Sequence, residues 1–161
     1  MEGHHEFIRE CHRLAIEAGK AGDEPFGAVL VRDGEIVIRA LNTVNTDDDS
    51  FQHAEYRLVV EARKELSEDE LAASTLYSST APCVLCSGSI LPTPLAGVVY
   101  SVGYEAFGKR NRPYVKLDEL TERLKPAMFV LGRVLKDEGI KAYEWWAGEF
   151  TPVEEILRRW A

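Results

Sequence analysis

Apolar side chains at Phe7, Ile8, Cys11, Leu14, Ala15 and Ala18 recur at helical spacing. Residues 4–20 are therefore predicted to form an amphipathic helix that ends at Gly19 or Gly22. The pattern then changes to two strand-like runs, 26–31 and 35–41, separated by Arg32-Asp33-Gly34. Asp-Gly between two such runs is a strong hairpin signal. Residues 42–52 are polar and turn-rich and read as a loop. From His53 to about Leu66 helix formers dominate, with Leu58, Val59 and Ala62 on one face.

Farther along, Ser74–Thr80 reads as a strand, and Pro82 stands where the first turn of a helix tolerates proline. That helix is predicted to run through Ile90 and to stop before Pro92 and Pro94. Residues 95–102 form a further β-rich run, 103–114 a loop, and 115–138 a helix broken at Pro126. Residues 139–144 are predicted as the last strand. Thr151-Pro152-Val153-Glu154 has the form of a capping box that opens a closing helix. Strands alternating with helices imply a sheet covered on both faces. The fold expected is an α/β, three-layer α/β/α sandwich with a mixed five-stranded sheet. The first two strands are antiparallel, and those joined through helices are parallel. With no internal repeat or linker, residues 1–161 read as a single domain.

Composition adds exclusions. The chain is 45% hydrophobic and 29% charged, with no run long enough to span a bilayer. Its start, MEGHHEFIREC, is charged rather than signal-like, so the cytoplasm is the expected compartment. A formal net charge of −8, with Lys109-Arg110-Asn111-Arg112 the longest basic cluster, argues against nucleic acid and for a small neutral substrate. Of the three cysteines, two form Cys83-Val84-Leu85-Cys86, which makes a disulfide framework a poor reading.

The chemistry concentrates in His53-Ala54-Glu55 and Pro82-Cys83-Val84-Leu85-Cys86. A C-x-x-C at a helix start points both sulfurs toward one spot, and the helix N-terminus favours thiolates. With His53 these cysteines supply three zinc ligands, which leaves a coordination position for water, as catalytic sites do. A structural zinc site would need a fourth ligand from Cys11, His4, His5 or His12, and no spacing recommends them. A redox pair would leave His53-Ala54-Glu55 unexplained. Glu55 has a plain reading as a helix-start carboxylate that complements the dipole. Its stronger reading is a proton shuttle: one carboxylate takes a proton from an activated water and delivers it to an amidine ring nitrogen, then to the departing amine.

H-x-E…P-C-x-x-C is the signature of zinc nucleobase deaminases. With Pro25-Phe26-Gly27-Ala28, Asp33-Gly34, Asn42 and Gly88-Ser89-Ile90, the chain over residues 4–102 resembles the cytidine-deaminase-like superfamily. Within it, the nearest branch is that of free-base (cytosine, guanine) and tRNA-adenosine deaminases. The resemblance implies a zinc ion (Zn2+), homodimers or higher homo-oligomers, and an Asn42 that holds a ring carbonyl. A turn residue ending a strand is the plainer account of Asn42. Phe26 and Ala54 would border the substrate, although a strand phenylalanine is more often core. The family commonly has Glu-Pro-Cys-x-Met-Cys; here Ala81 replaces the carboxylate and Leu85 the methionine.

The same resemblance bears on the substrate. Guanine deaminases of this fold carry an acidic pair after the fourth strand, where this chain has Arg110-Asn111-Arg112-Pro113-Tyr114. Cytosine deaminases close a small pyrimidine under a C-terminal tryptophan and acid, for which Trp145, Trp146, Glu149 and Trp160 are the candidates. Tryptophan there serves equally as core or dimer contact. The tRNA enzymes would be expected to show a basic C-terminus, but Arg158-Arg159 stand among Glu144, Glu149, Glu154 and Glu155. The reading is an enzyme, a zinc-dependent deaminase of a free amino-heterocycle of cytosine or isocytosine type, aminopurines included. A tRNA-adenosine deaminase and a zinc-stabilised binding module without chemistry are the alternatives.

Overall fold

The Asp33-Gly34 pair turns the chain as its sequence predicts. Both residues have positive φ (53° and 79°) and close a two-residue hairpin between Gly27–Arg32 (β1) and Glu35–Leu41 (β2). Such mirror-image turns match the twist of the flanking strands, and only residues tolerant of the left-handed region fit them. The structure is a computed structural model and describes residues 2–107 and 116–149. Ser74–Thr80 (β3) pairs antiparallel with β1, Gly97–Val102 (β4) parallel with β3, and Phe129–Leu131 (β5) parallel with β4. The sheet order is β2-β1-β3-β4-β5, the mixed five-stranded sheet expected.

Strand alternation divides the core into two layers. Ala28, Leu30, Leu76 and Val98 point to one face and pack with Leu58, Val59 and Ala62 of Ala54–Glu65 (α2) and with Ile90. Val29, Val31, Tyr77 and Val99 point to the other and meet Phe7, Ile8, Cys11 and Leu14 of His5–Ala21 (α1). The first helix thus buries the stripe that its sequence shows. A short helix, Glu68–Ala72 (α3), opens on a capping box in which Ser67 and Glu70 exchange hydrogen bonds. Val84–Ile90 (α4) links β3 to β4, and Leu117–Leu124 (α5) precedes β5.

The C-terminal third departs from expectation. Residues 139–144 are not a strand but part of the helix Lys136–Glu149 (α6). The buried residues Gly139, Ala142, Tyr143, Trp146 and Ala147 follow 3-4 spacing, and α6 packs on α1 and β4. The fifth strand instead comes from within 115–138, which was expected to be helical. Phe129-Val130-Leu131 is too short a run to register as a strand without its partner β4. The closing helix predicted at 151 lies outside the described residues.

His12 on α1 is buried where α6 crosses it, and its Nε2 finds no partner among the described residues. Ser101 Oγ, also buried and unpartnered, faces the same spot, where Gly139 lets α6 approach within contact of both. Burial pushes the His12 imidazole down to about 4, with Glu138 opposing and Arg9 reinforcing the shift. The unfolded chain therefore binds the proton more readily between roughly pH 6.5 and 4, so stability falls as pH drops through that window, by about 3 kcal/mol in full. Urea midpoints should show about 2 kcal/mol of this lost by roughly pH 5. His12→Phe should flatten that slope. An unchanged slope in the variant would refute the assignment.

Candidate active site

Two loop-to-helix junctions meet above the C-terminal end of β3. His53 is the residue before α2, in extended conformation (φ −68°, ψ 145°), and its side chain caps nothing, so the imidazole is available. Cys83 holds the equivalent position before α4, and Cys86 lies one turn in. Cys83 Sγ is 3.5 Å from His53 Nδ1 and 3.5 Å from Cys86 Sγ; Cys86 Sγ is 3.6 Å from His53 Nδ1. Tetrahedral zinc with ordinary bond lengths would separate its nitrogen and sulfur donors by about 3.6 Å and its two sulfurs by about 3.8 Å. The three donors fit that ion, and no other such cluster of ligands occurs among the described residues. Cys83 is drawn down to about 4 by the hydrogen bond from Cys86, against burial, with His53 helping. That leaves Cys86 raised as the donor, and His53 raised by its bond to Cys83. A metal held here takes both cysteines as thiolates and His53 as the neutral imidazole.

Glu55 stands beside this cluster. It is fully enclosed, with Oε2 3.5 Å from Cys86 Sγ and Oε1 accepting from Ser78 Oγ at 2.9 Å. Burial raises its carboxyl above the usual range, with the charge on Cys83 adding to the effect. A carboxyl so placed passes easily between charged and neutral forms, as proton transfer needs. Ser78 begins the run Ser78-Ser79-Thr80, three polar residues buried at the end of β3. Ser79 Oγ accepts from Gly27 N at 3.1 Å, and Thr80 Oγ1 bonds Tyr143 Oη. Such a polar run in a central strand is the one sequence signal that could have found these supporting residues.

Asn42 is fully buried, its N–H bonding Phe26 O at 3.0 Å. Its Oδ1 accepts from Val44 N at 3.0 Å, which leaves Nδ2 with no partner among the described residues. A buried donor left unpaired carries a penalty of about 1–3 kcal/mol, which any group that accepts from it removes. Phe26 is half-buried just before β1, its ring 5.8 Å from that of Tyr143. Ala54 opens α2 with its methyl in the core, so only its backbone is free to act. Trp146 packs against Gly19 of α1, next to Trp145 and Ala147. Tyr143, one turn earlier, is the α6 side chain that meets Phe26 and Thr80, and the strand predicted for 139–144 had obscured it. The side chain of Glu149, residues 110–114, Arg158, Arg159 and Trp160 lie outside the described residues.

A three-donor zinc centre with an adjacent buried carboxylate, on a three-layer α/β/α sandwich, defines a zinc hydrolase class with one coordination position left open. Residues 1–102 match the model of the cytidine and deoxycytidylate deaminase zinc-binding region. The chain belongs to that family, and His53, Cys83 and Cys86 are its zinc ligands. Among relatives, a tRNA-specific adenosine deaminase of Bacillus subtilis is 37% identical over 94 residues, 58% of each chain. A probable cytosine deaminase of Schizosaccharomyces pombe is 27% identical over 153 residues, covering 88% of this chain and 91% of that one. In fold, the chain is similar to the guanine deaminase of Nitrosomonas europaea (TM-score 0.76, 21% identity, 88% and 83% of the two chains). The chain thus spans little more than half the length of the adenosine deaminase, against nearly all of the cytosine deaminase.

Proposed function

We propose that this protein is a zinc-dependent aminohydrolase that converts the exocyclic amine of a free nucleobase or related amino-heterocycle, of cytosine or isocytosine type or an aminopurine, to a carbonyl with release of ammonia. The observation that carries it is Glu55, enclosed beside the three donors with one carboxylate oxygen held by Ser78. Bound zinc would supply a Lewis acid and a water whose pKa lies near neutrality. Glu55 takes one proton of the water and places it on the ring nitrogen, then takes the water's second proton as the carbonyl forms and passes it to the amine, which departs as ammonia. Ser78 keeps one carboxylate oxygen oriented during both transfers.

Substrate placement falls to Asn42 Nδ2, which can only donate, and so selects an acceptor on the ring. The Ala54 N–H lies in the first turn of α2, where no helix carbonyl reaches, and suits a second acceptor. Phe26 forms an apolar wall with Tyr143 of α6 behind it. Asp47, Asp48 and Asp49 lie on the loop between Asn42 and His53, which supports a neutral small molecule over a polyanion. The reading keeps a cytoplasmic, homo-oligomeric enzyme; no described helix is long and apolar enough to cross a membrane.

One observation favours a second reading, tRNA-adenosine deamination: the 37% identity to the Bacillus subtilis enzyme. Zinc-loaded protein should be assayed for ammonia release from cytosine, isocytosine, guanine, adenine and their nucleosides, and for inosine formation in tRNA. The proposal expects release from a free base, with rates insensitive to salt. Inosine in tRNA alone, with binding that weakens steeply with salt, would overturn it.

A further inference from the structure

Asp23 is a fully buried carboxylate at the end of α1, and its bonds point in one direction. Gly22, at φ 95°, ends the helix in the left-handed conformation, and the Asp23 N–H returns to Ala18 O at 3.0 Å, so the backbone is locked to α1. The side chain grips the loop that follows β2. Oδ1 accepts from Asn45 N at 2.7 Å and from Thr46 N at 3.0 Å, and Oδ2 from Thr46 Oγ1 at 2.7 Å. Asn45 Nδ2 adds a bond to Gly22 O at 2.8 Å. This loop carries Asn42 at one end and His53 at the other.

The grip reaches Asn42 through adjacent backbone. Holding the amides of Asn45 and Thr46 fixes Val44, whose N–H occupies Asn42 Oδ1. The side-chain amide of Asn42 can then present only its Nδ2 outward. On the other side, Arg57 Nη1 holds Leu41 O at 2.7 Å. Without the grip at 45–46, Asn42 could rotate and offer an acceptor where the substrate needs a donor. We infer that Asp23 is a positioning residue that sets the donor orientation of Asn42 through the Asn45–Thr46 backbone and so controls substrate binding more than turnover. The inference rests on the proposed reading of the site only for its kinetic consequence.

Asp23→Asn separates geometry from charge. Its Oδ1 can keep both backbone amides, and its Nδ2 can donate to Thr46 Oγ1, which turns to Thr43 O, 3.4 Å away. In zinc-loaded full-length protein, Asp23→Ala should raise amide exchange at Val44, Asn45 and Thr46 by about tenfold or more relative to α2. It should also move the Asn42 side-chain amide NMR signals toward free-asparagine values. Asp23→Asn should restore both. Thr46→Val, which loses a single bond, should fall between. With whichever of cytosine, isocytosine and guanine the wild type deaminates, Asp23→Ala should raise KM about tenfold and change kcat less than about threefold. On an Asn42→Ala background the same change should raise KM less than about twofold, since the group it orients is gone. Equal KM effects on both backgrounds, a fall in kcat alone, or unmoved Asn42 signals would overturn the assignment. If the wild type deaminates neither these bases nor adenine, the functional reading fails, and the exchange and amide signals alone uphold or overturn the role of Asp23.

Discussion

Glu55→Gln is expected to lower kcat by about a thousandfold or more while the protein retains one zinc per chain and its fold. The replacement is nearly isosteric: its Oε1 can still accept from Ser78 Oγ, so little else around the site need move. What it loses is the capacity to receive a proton, the single step that no neighbouring residue can supply. Cys86 and His53 are committed to the metal, and Ser78 is a far weaker base. Because the change removes a buried carboxylate, the melting temperature should hold or rise. Steady-state ammonia release, zinc content and thermal unfolding measured together decide the matter. Turnover within about tenfold of wild type would remove Glu55 from the mechanism. A protein with no turnover before or after the change would match the zinc-stabilised binding module instead.

The second large effect belongs to Cys86→Ser. Cys86 is fully buried and within 3.6 Å of both other donors, so its loss leaves two ligands. Zinc measured on the purified variant should drop from about one per chain to less than about a tenth, with activity falling in proportion. Metal that binds only the native state adds stability by mass action, so chelation should lower the melting temperature of the wild type and leave the variant unmoved. Full zinc occupancy in Cys86→Ser would contradict the ligand set. Cys83→Ser should behave alike, although Cys83 is partly exposed, where water can replace it more readily.

What the sequence disclosed, and what it hid, follows from the range of each interaction. The metal ligands were legible because each motif is local: His53 precedes one helix and Cys83 another, and the spacing within Cys83–Cys86 is one helical turn. The α1 stripe and the Asp33-Gly34 turn were legible for the same reason. Ser78, Tyr143 and Asp23 were not, because their partners are 23, 63 and 22 or 23 residues away. The strand expected at 139–144 failed because Ile140, Ala142 and Tyr143 fit either period until α1 is in place to receive α6. The three residues of β5 gained their strand character from pairing with β4, a tertiary effect that local pattern does not contain.

The separation of the zinc donors bears on how the chain assembles. The β1–β2 hairpin is local and can close within microseconds. His53 follows it after the loop 42–52, but Cys83 lies 30 residues farther on, across a chain crossover that must first dock β3 on the far side of β1. Until that long-range pairing is made, only the Cys83–Cys86 pair is preorganised, and two thiols hold zinc weakly. Metal capture therefore comes after sheet assembly rather than seeding it. A growing chain would complete its hairpin on the ribosome well before it could retain the ion.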